Sequence, residues 1–160
     1  SIGIELVNPG HEFGYREFPR AQLEVLKKLT FEILERHPIP KRQVLGHSDV
    51  SPMRKQDPGE LFPWKAFAEE GIGLWPRNMD VDPVPGTVKD VQLALRNIGY
   101  CIPVNGEDDP VYREILKSFQ RHWVPREVTG KADKDTRRML AAMELAVQAD
   151  LASEPPKDEA

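Results

Sequence analysis

Three stretches in the second half of the chain, each opened by a residue that can cap a helix, set the tightest limit on the fold. Thr87 stands before Val88, Val91, Leu95 and Ile98, with Gly99 behind them. Asp109-Pro110 stands before Val111, Ile115 and Phe119, and Asp133 or Asp135 before Met139, Leu140, Met143 and Val147. An oxygen-bearing side chain ahead of an apolar stripe at three-and-four spacing satisfies the N–H groups that a helix start leaves open. Proline fits the first helical position, where its missing N–H costs nothing, and glycine is a common stop. Three short amphipathic helices can close one small core. The pattern predicts a small all-α, three-helix domain over residues 87–148.

The first half reads differently. Ser1 to Val7 alternates in the strand manner, with Ile2, Ile4 and Leu6 on one face, and Asn8-Pro9-Gly10 ends the run. From Pro19 the run AQLEVLKKLTFEILER places Leu23, Leu26, Leu29 or Thr30, and Ile33 on one helical stripe. His37-Pro38-Ile39-Pro40 stops it. Gln43 to Leu45 is a short strand candidate, Gly46 to Pro63 a long loop, and Trp64 to Glu70 a short helix. The expected fold for residues 1–76 is therefore α/β, a mixed sheet with helices. Residues 77–86, with Pro83 and Pro85, read as a linker, and residues 149–160 as a disordered tail. A strand at the very start of a chain needs neighbours to pair with. The expected sheet therefore calls for further strands ahead of Ser1.

Bulk properties remove several function classes. The formal net charge of -4 argues against a nucleic-acid binder, which normally shows a basic face. No apolar run is long enough to cross a bilayer. Cys101 is the single cysteine, so an intrachain disulfide and a cysteine-rich zinc cluster are both excluded. Any metal must be held mainly by histidine and carboxylates.

The long loop carries the residues suited to that task. His47 and Asp57 offer an imidazole and a carboxylate, both good zinc donors, and a catalytic zinc takes about three protein ligands. Taken alone, the pair reads more readily as a loop histidine bonded to backbone and an aspartate capping a turn before Pro58. Lys55, two residues before Asp57, can stabilise an oxyanion, although most lysines are simply solvated. Glu5, midway along the first strand, can act as a general base if its strand face is partly apolar; otherwise it is a solvated edge residue. His11, His37 and His122 read as structural or surface residues, His11 with a minor chance of lining a groove. Asp49 reads as a turn or supporting residue rather than a ligand.

Two longer strings are more specific than any pair. IGIELVNPG (Ile2 to Gly10) and GHSDVSPMRKQDPGELFPW (Gly46 to Trp64) resemble the zinc-dependent N-acetylmuramoyl-L-alanine amidases of the type-2 amidase family. The resemblance implies zinc as cofactor, His47 and Asp57 as its ligands, Lys55 facing the oxyanion, and Glu5 as the catalytic carboxylate. It implies hydrolysis of the amide between N-acetylmuramic acid and L-alanine of peptidoglycan or a muropeptide. The family's third ligand, a histidine on an early strand, precedes the region matching Ile2 to Gly10, so it is expected upstream of Ser1. On this reading the chain holds the carboxyl-terminal half of the catalytic domain, with little activity by itself. VQLALRNIGY (Val91 to Tyr100), VNGEDDP (Val104 to Pro110), SFQRH (Ser118 to His122) and TGKADKDT (Thr129 to Thr136) resemble the small three-helix peptidoglycan-binding domains. The family's usual glycine before the proline is Asp109 here, which can still cap. An amidase followed by such a domain resembles the periplasmic branch of the family, which implies a place in the bacterial cell envelope. The rival expectation is a wall-binding module without catalysis. A peptidoglycan-recognition protein on the same fold is disfavoured by the joint presence of His47, Lys55 and Asp57.

Overall fold

The computed structural model describes residues 1–154. Its elements are α1 (Arg20–Arg36), a 3-10 turn (Lys41–Gln43), α2 (His47–Val50), α3 (Trp64–Glu69), α4 (Val88–Ile98), α5 (Pro110–Trp123) and α6 (Lys134–Ala152). No strand occurs among the described residues. The expected α/β architecture is therefore corrected to an all-helical one. The physical reason lies in pairing, since a strand's N–H and C=O groups are satisfied only by a second strand beside it. Ser1 to Val7 is irregular and finds no such partner, and Ile2, Ile4 and Val7 are exposed. At Val44 the amide N–H closes the 3-10 turn onto the Lys41 carbonyl instead of entering a ladder.

The helical expectations meet their residues closely. Thr87, Asp109 and Asp133 cap α4, α5 and α6 by accepting from the N–H of Asp90, Tyr112 and Thr136. Gly99 stops α4 with φ at +126°, a conformation that favours glycine. α4 packs on α6, and the three helices enclose Val91, Leu95, Ile115, Leu116, Phe119, Leu140 and Met143. Two buried glutamines fasten the loops between them. The Gln92 amide donates to Asn105 and to the Glu107 carbonyl and accepts from the Gly106 N–H. The Gln120 amide donates to Lys131 and Thr136 and accepts from the N–H groups of Thr129 and Gly130. α6 continues through Ala152, beyond the expected end at residue 148; residues 155–160 of the expected tail lie outside the described residues.

The first half has a smaller core of Phe18, Leu26, Phe62, Trp64, Phe67 and Ile72. On α1 Thr30 is buried and Leu29 exposed, which resolves the choice between them. The segment expected as a linker does not hang free. Val84 is buried in the helical core, donates its N–H to the Arg137 carbonyl at 3.1 Å and accepts from the Arg137 guanidinium at 2.8 Å. Trp75 packs against both cores. Arg42 of the 3-10 turn reaches Asp150 at 2.8 Å and Glu154 at 2.7 Å, tying the first half to the end of α6.

Candidate functional site

The long loop folds back so that its two ends meet. Ser48 donates its N–H to the Asp57 carbonyl at 2.9 Å, which sets the residues on either side of Ser48 against the loop's far limb. As a result His47 Nδ1 lies 3.1 Å from Asp57 Oδ2, with the two side chains 50% and 63% exposed. An imidazole nitrogen and a carboxylate oxygen at this spacing match two corners of a tetrahedral zinc site, whose neighbouring donors sit about 3.3 Å apart for bonds of roughly 2.0–2.1 Å. No group of three or more histidine, cysteine, aspartate or glutamate side chains suited to a metal occurs among the described residues. As it stands the pair is joined by a hydrogen bond, and it offers two donors of the kind zinc takes.

Of the four residues singled out from the sequence, the structure brings His47 and Asp57 together. Lys55 lies on the same loop, where its N–H bonds the Ser51 carbonyl at 3.0 Å, and its side chain is exposed. Glu5 is exposed in the irregular opening segment rather than half-buried in a strand. Among the described residues neither makes a hydrogen bond or ion pair with His47 or Asp57.

A cluster of His11, Tyr15 and Glu60 braces the limb that bears Asp57. The Tyr15 hydroxyl donates to the Pro58 carbonyl at 2.7 Å and accepts the Leu61 N–H at 2.9 Å. Burial, opposed by the Leu61 N–H and reinforced by the Glu60 carboxylate, pushes the Tyr15 phenol up to about 12, so it stays a neutral donor at ordinary pH. His11 stacks on the Tyr15 ring at 4.1 Å and meets Glu60 at 2.9 Å. Gly59, at φ +84°, passes so close beneath that an added Cβ would fall on the Tyr15 hydroxyl and against His11. His37 ends α1 and is exposed.

The contact that sequence reasoning did not foresee is between Asp49 and His122. The Asp49 side chain is buried and collects bonds from the Gly46 N–H at 2.8 Å, the Tyr100 hydroxyl at 2.6 Å and His122 Nδ1 at 2.7 Å. The His122 ring lies between Trp64 at 3.9 Å and Trp123 at 3.6 Å. Burial, and the Asp49 charge beside it, raise the Tyr100 phenol well above its ordinary value. A supporting role for Asp49 and a structural one for His122 were legible; that the two meet across the halves was not. The available signal was a histidine flanked by Phe119 and Trp123 in an apolar helix, which implies a buried polar group needing a partner.

Comparison with known proteins fits this division. Residues 1–60 match the family described as N-acetylmuramoyl-L-alanine amidase, and residues 85–140 the family described as putative peptidoglycan binding domain. The N-acetylmuramoyl-L-alanine amidase AmiD of Escherichia coli is 34% identical over 155 residues, covering 89% of this chain and 56% of that protein. The 1,6-anhydro-N-acetylmuramyl-L-alanine amidase AmpD of Haemophilus influenzae is 40% identical over 68 residues, 42% of this chain and 35% of that protein. Among solved structures, AmpDh3 of Pseudomonas aeruginosa in complex with anhydromuramic pentapeptide superposes with a TM-score of 0.71 at 34% identity, covering 81% of this chain and 54% of that one. E. coli AmiD with the substrate anhydro-N-acetylmuramic acid-L-Ala-D-gamma-Glu-L-Lys gives the same TM-score at 31% identity, with 81% and 53% covered. The chain is thus similar to one family over residues 1–60, to the other over residues 85–140, and to AmiD over most of its own length. It spans about half the length of AmiD and of AmpDh3.

Proposed function

We propose that this chain serves in hydrolysis of the amide between N-acetylmuramic acid and L-alanine of peptidoglycan, in cell-wall turnover or recycling. The observation that carries the reading is the His47–Asp57 pair at 3.1 Å, inside the segment that matches the amidase family. His47 and Asp57 are the proposed zinc ligands. Bound there, zinc would supply Lewis acidity, making a water nucleophilic near neutral pH and polarising the scissile carbonyl. Glu5 is proposed to take a proton from the attacking water through its carboxylate and return it to the departing alanyl nitrogen. Lys55 Nζ is proposed to face the oxyanion. Residues 1–76 form the proposed catalytic part, 77–86 the connection and 87–148 the wall-binding domain, which raises local substrate concentration by holding the polymer. The proposed setting is the bacterial cell envelope, on the periplasmic side.

A second reading, a wall-binding module without catalysis, is favoured by the presence of two zinc donors rather than three among the described residues. Zinc stoichiometry separates the two. One zinc per chain, lost in His47→Ala and in Asp57→Ala, is the result expected for the amidase. Absence of zinc from the unaltered chain is the result expected for the binding module or for a catalytic part that lacks its third ligand. In a chain extended upstream to supply the expected third ligand, Glu5→Gln is expected to keep the metal and abolish release of peptide from a muropeptide; loss of the metal would move Glu5 to a ligand role.

A further inference from the structure

His47 opens a helix of four residues, too short to hold its own geometry. Its order is imposed from outside, and most of the fastening comes from the other half of the chain. Ser48 is gripped at both ends: its N–H bonds the Asp57 carbonyl at 2.9 Å, and its carbonyl accepts the Ser118 hydroxyl of α5 at 2.7 Å. Next to it, Asp49 receives the Tyr100 hydroxyl on Oδ1 and His122 Nδ1 on Oδ2, while Oδ2 also accepts the Gly46 N–H just before His47. The side chains of His122 and Asp49 are 3% and 4% exposed, so water does not replace a bond lost here. Leaving one partner of such a buried pair unsatisfied is costly. Trp64 and Trp123 fix the plane of the His122 ring, so that Nδ1 is aimed at Asp49.

We infer that Tyr100, Ser118 and His122 of the helical domain are positioning residues for the His47–Asp57 pair, so that the domain resembling a wall-binding module also builds the catalytic site. In its functional consequence this rests on the reading of His47 and Asp57 as metal ligands; in its geometry it stands on the bonds to Ser48 and Asp49. The helical domain sets the register between His47 and Asp57 through two adjacent residues, Ser48 and Asp49. Groups that orient metal ligands from behind commonly matter by 10–100-fold in metal affinity.

The test uses the full chain, hydrogen–deuterium exchange at the Ser48 amide, and titration with zinc alone. His122→Phe keeps an aromatic ring between the two tryptophans but removes the donor to Asp49. Expected are at least ~tenfold faster exchange at Ser48 and zinc binding weaker by about 10–100-fold, with the amides of α1 unchanged. His122→Asn presents an N–H near the place of Nδ1 and is expected to restore both. Unchanged exchange and affinity in His122→Phe overturn the inference. So does an asparagine variant as impaired as the phenylalanine one, since ring packing would then explain the effect. Tyr100→Phe removes a single O–H and is expected to shift both readouts the same way by less, which decides the matter if His122→Phe does not fold. If the unaltered chain, with two donors rather than three among the described residues, binds no zinc, exchange at Ser48 in His122→Phe decides the inference by itself.

Discussion

The two halves of this chain bury their apolar side chains in different ways. In the helical half Val91, Leu95, Leu116, Phe119 and Leu140 are fully buried, and each helix starts on a side-chain cap. The amidase-like half closes a core of six residues, yet Val7, Phe13 and Val25 stand 86%, 74% and 66% exposed. One half closes a core between its own three helices; the other depends on loops, and on side chains from its neighbour. Rigidity at the candidate site is therefore borrowed. The loop bearing His47 is firm where α5 touches it, through Ser48 and Asp49, and open at the His47 and Asp57 side chains.

The difference can be pressed by substitution. Phe119→Ala should cost about 3–5 kcal/mol in chemical denaturation, because a fully buried ring leaves a cavity. Leu29→Ala in α1, at a 40% exposed position, should stay within about 0.5 kcal/mol. Equal losses at the two sites would erase the contrast. Tyr15→Phe should come next, at about 1–3 kcal/mol, because it strands the Pro58 carbonyl and the Leu61 N–H together. Proteolysis in the limb from Asp57 to Phe62 should accelerate in that variant; a protected limb would show that the loop is braced elsewhere. Asp109→Ala should cost about 1 kcal/mol, since the Tyr112 N–H loses its cap. Circular dichroism melts would register this as a modest drop confined to the helical half. Lys27→Ala should leave the melting temperature unmoved, because the Glu24 and Glu70 partners are solvent-exposed.

The same contrast governs what could be read from the amino-acid order. Caps at Thr87, Asp109 and Asp133 and the stop at Gly99 lie within a few residues of the stripes they serve, so short-range pattern reading finds them. The strand expectation at Ser1 to Val7 failed on a long-range requirement, since alternation says nothing of whether a second strand is present to pair with. At the site, His47 and Asp57 stand ten positions apart inside one quoted string, so the sequence singles them out together, although it does not show that their side chains meet. The Asp49–His122 contact spans 73 residues, and no local pattern links its two members. Tyr15 went unremarked for the same reason, since its partners Pro58 and Leu61 lie 43 and 46 residues away.

The segment joining the halves is stitched down at Val84 by two bonds to Arg137, and Trp75 and Arg42 pin the same junction from other sides. A flexible tether would let a catalytic half sweep every bond within its reach, and affinity for the polymer would set the rate. A joint held this way behaves as a ruler instead of a leash. On the proposed function, a helical domain gripping one strand of the wall offers the His47–Asp57 pair at a single offset and angle. The spacing of strands in the mesh, more than the strength of the grip, would then select which bonds are cut.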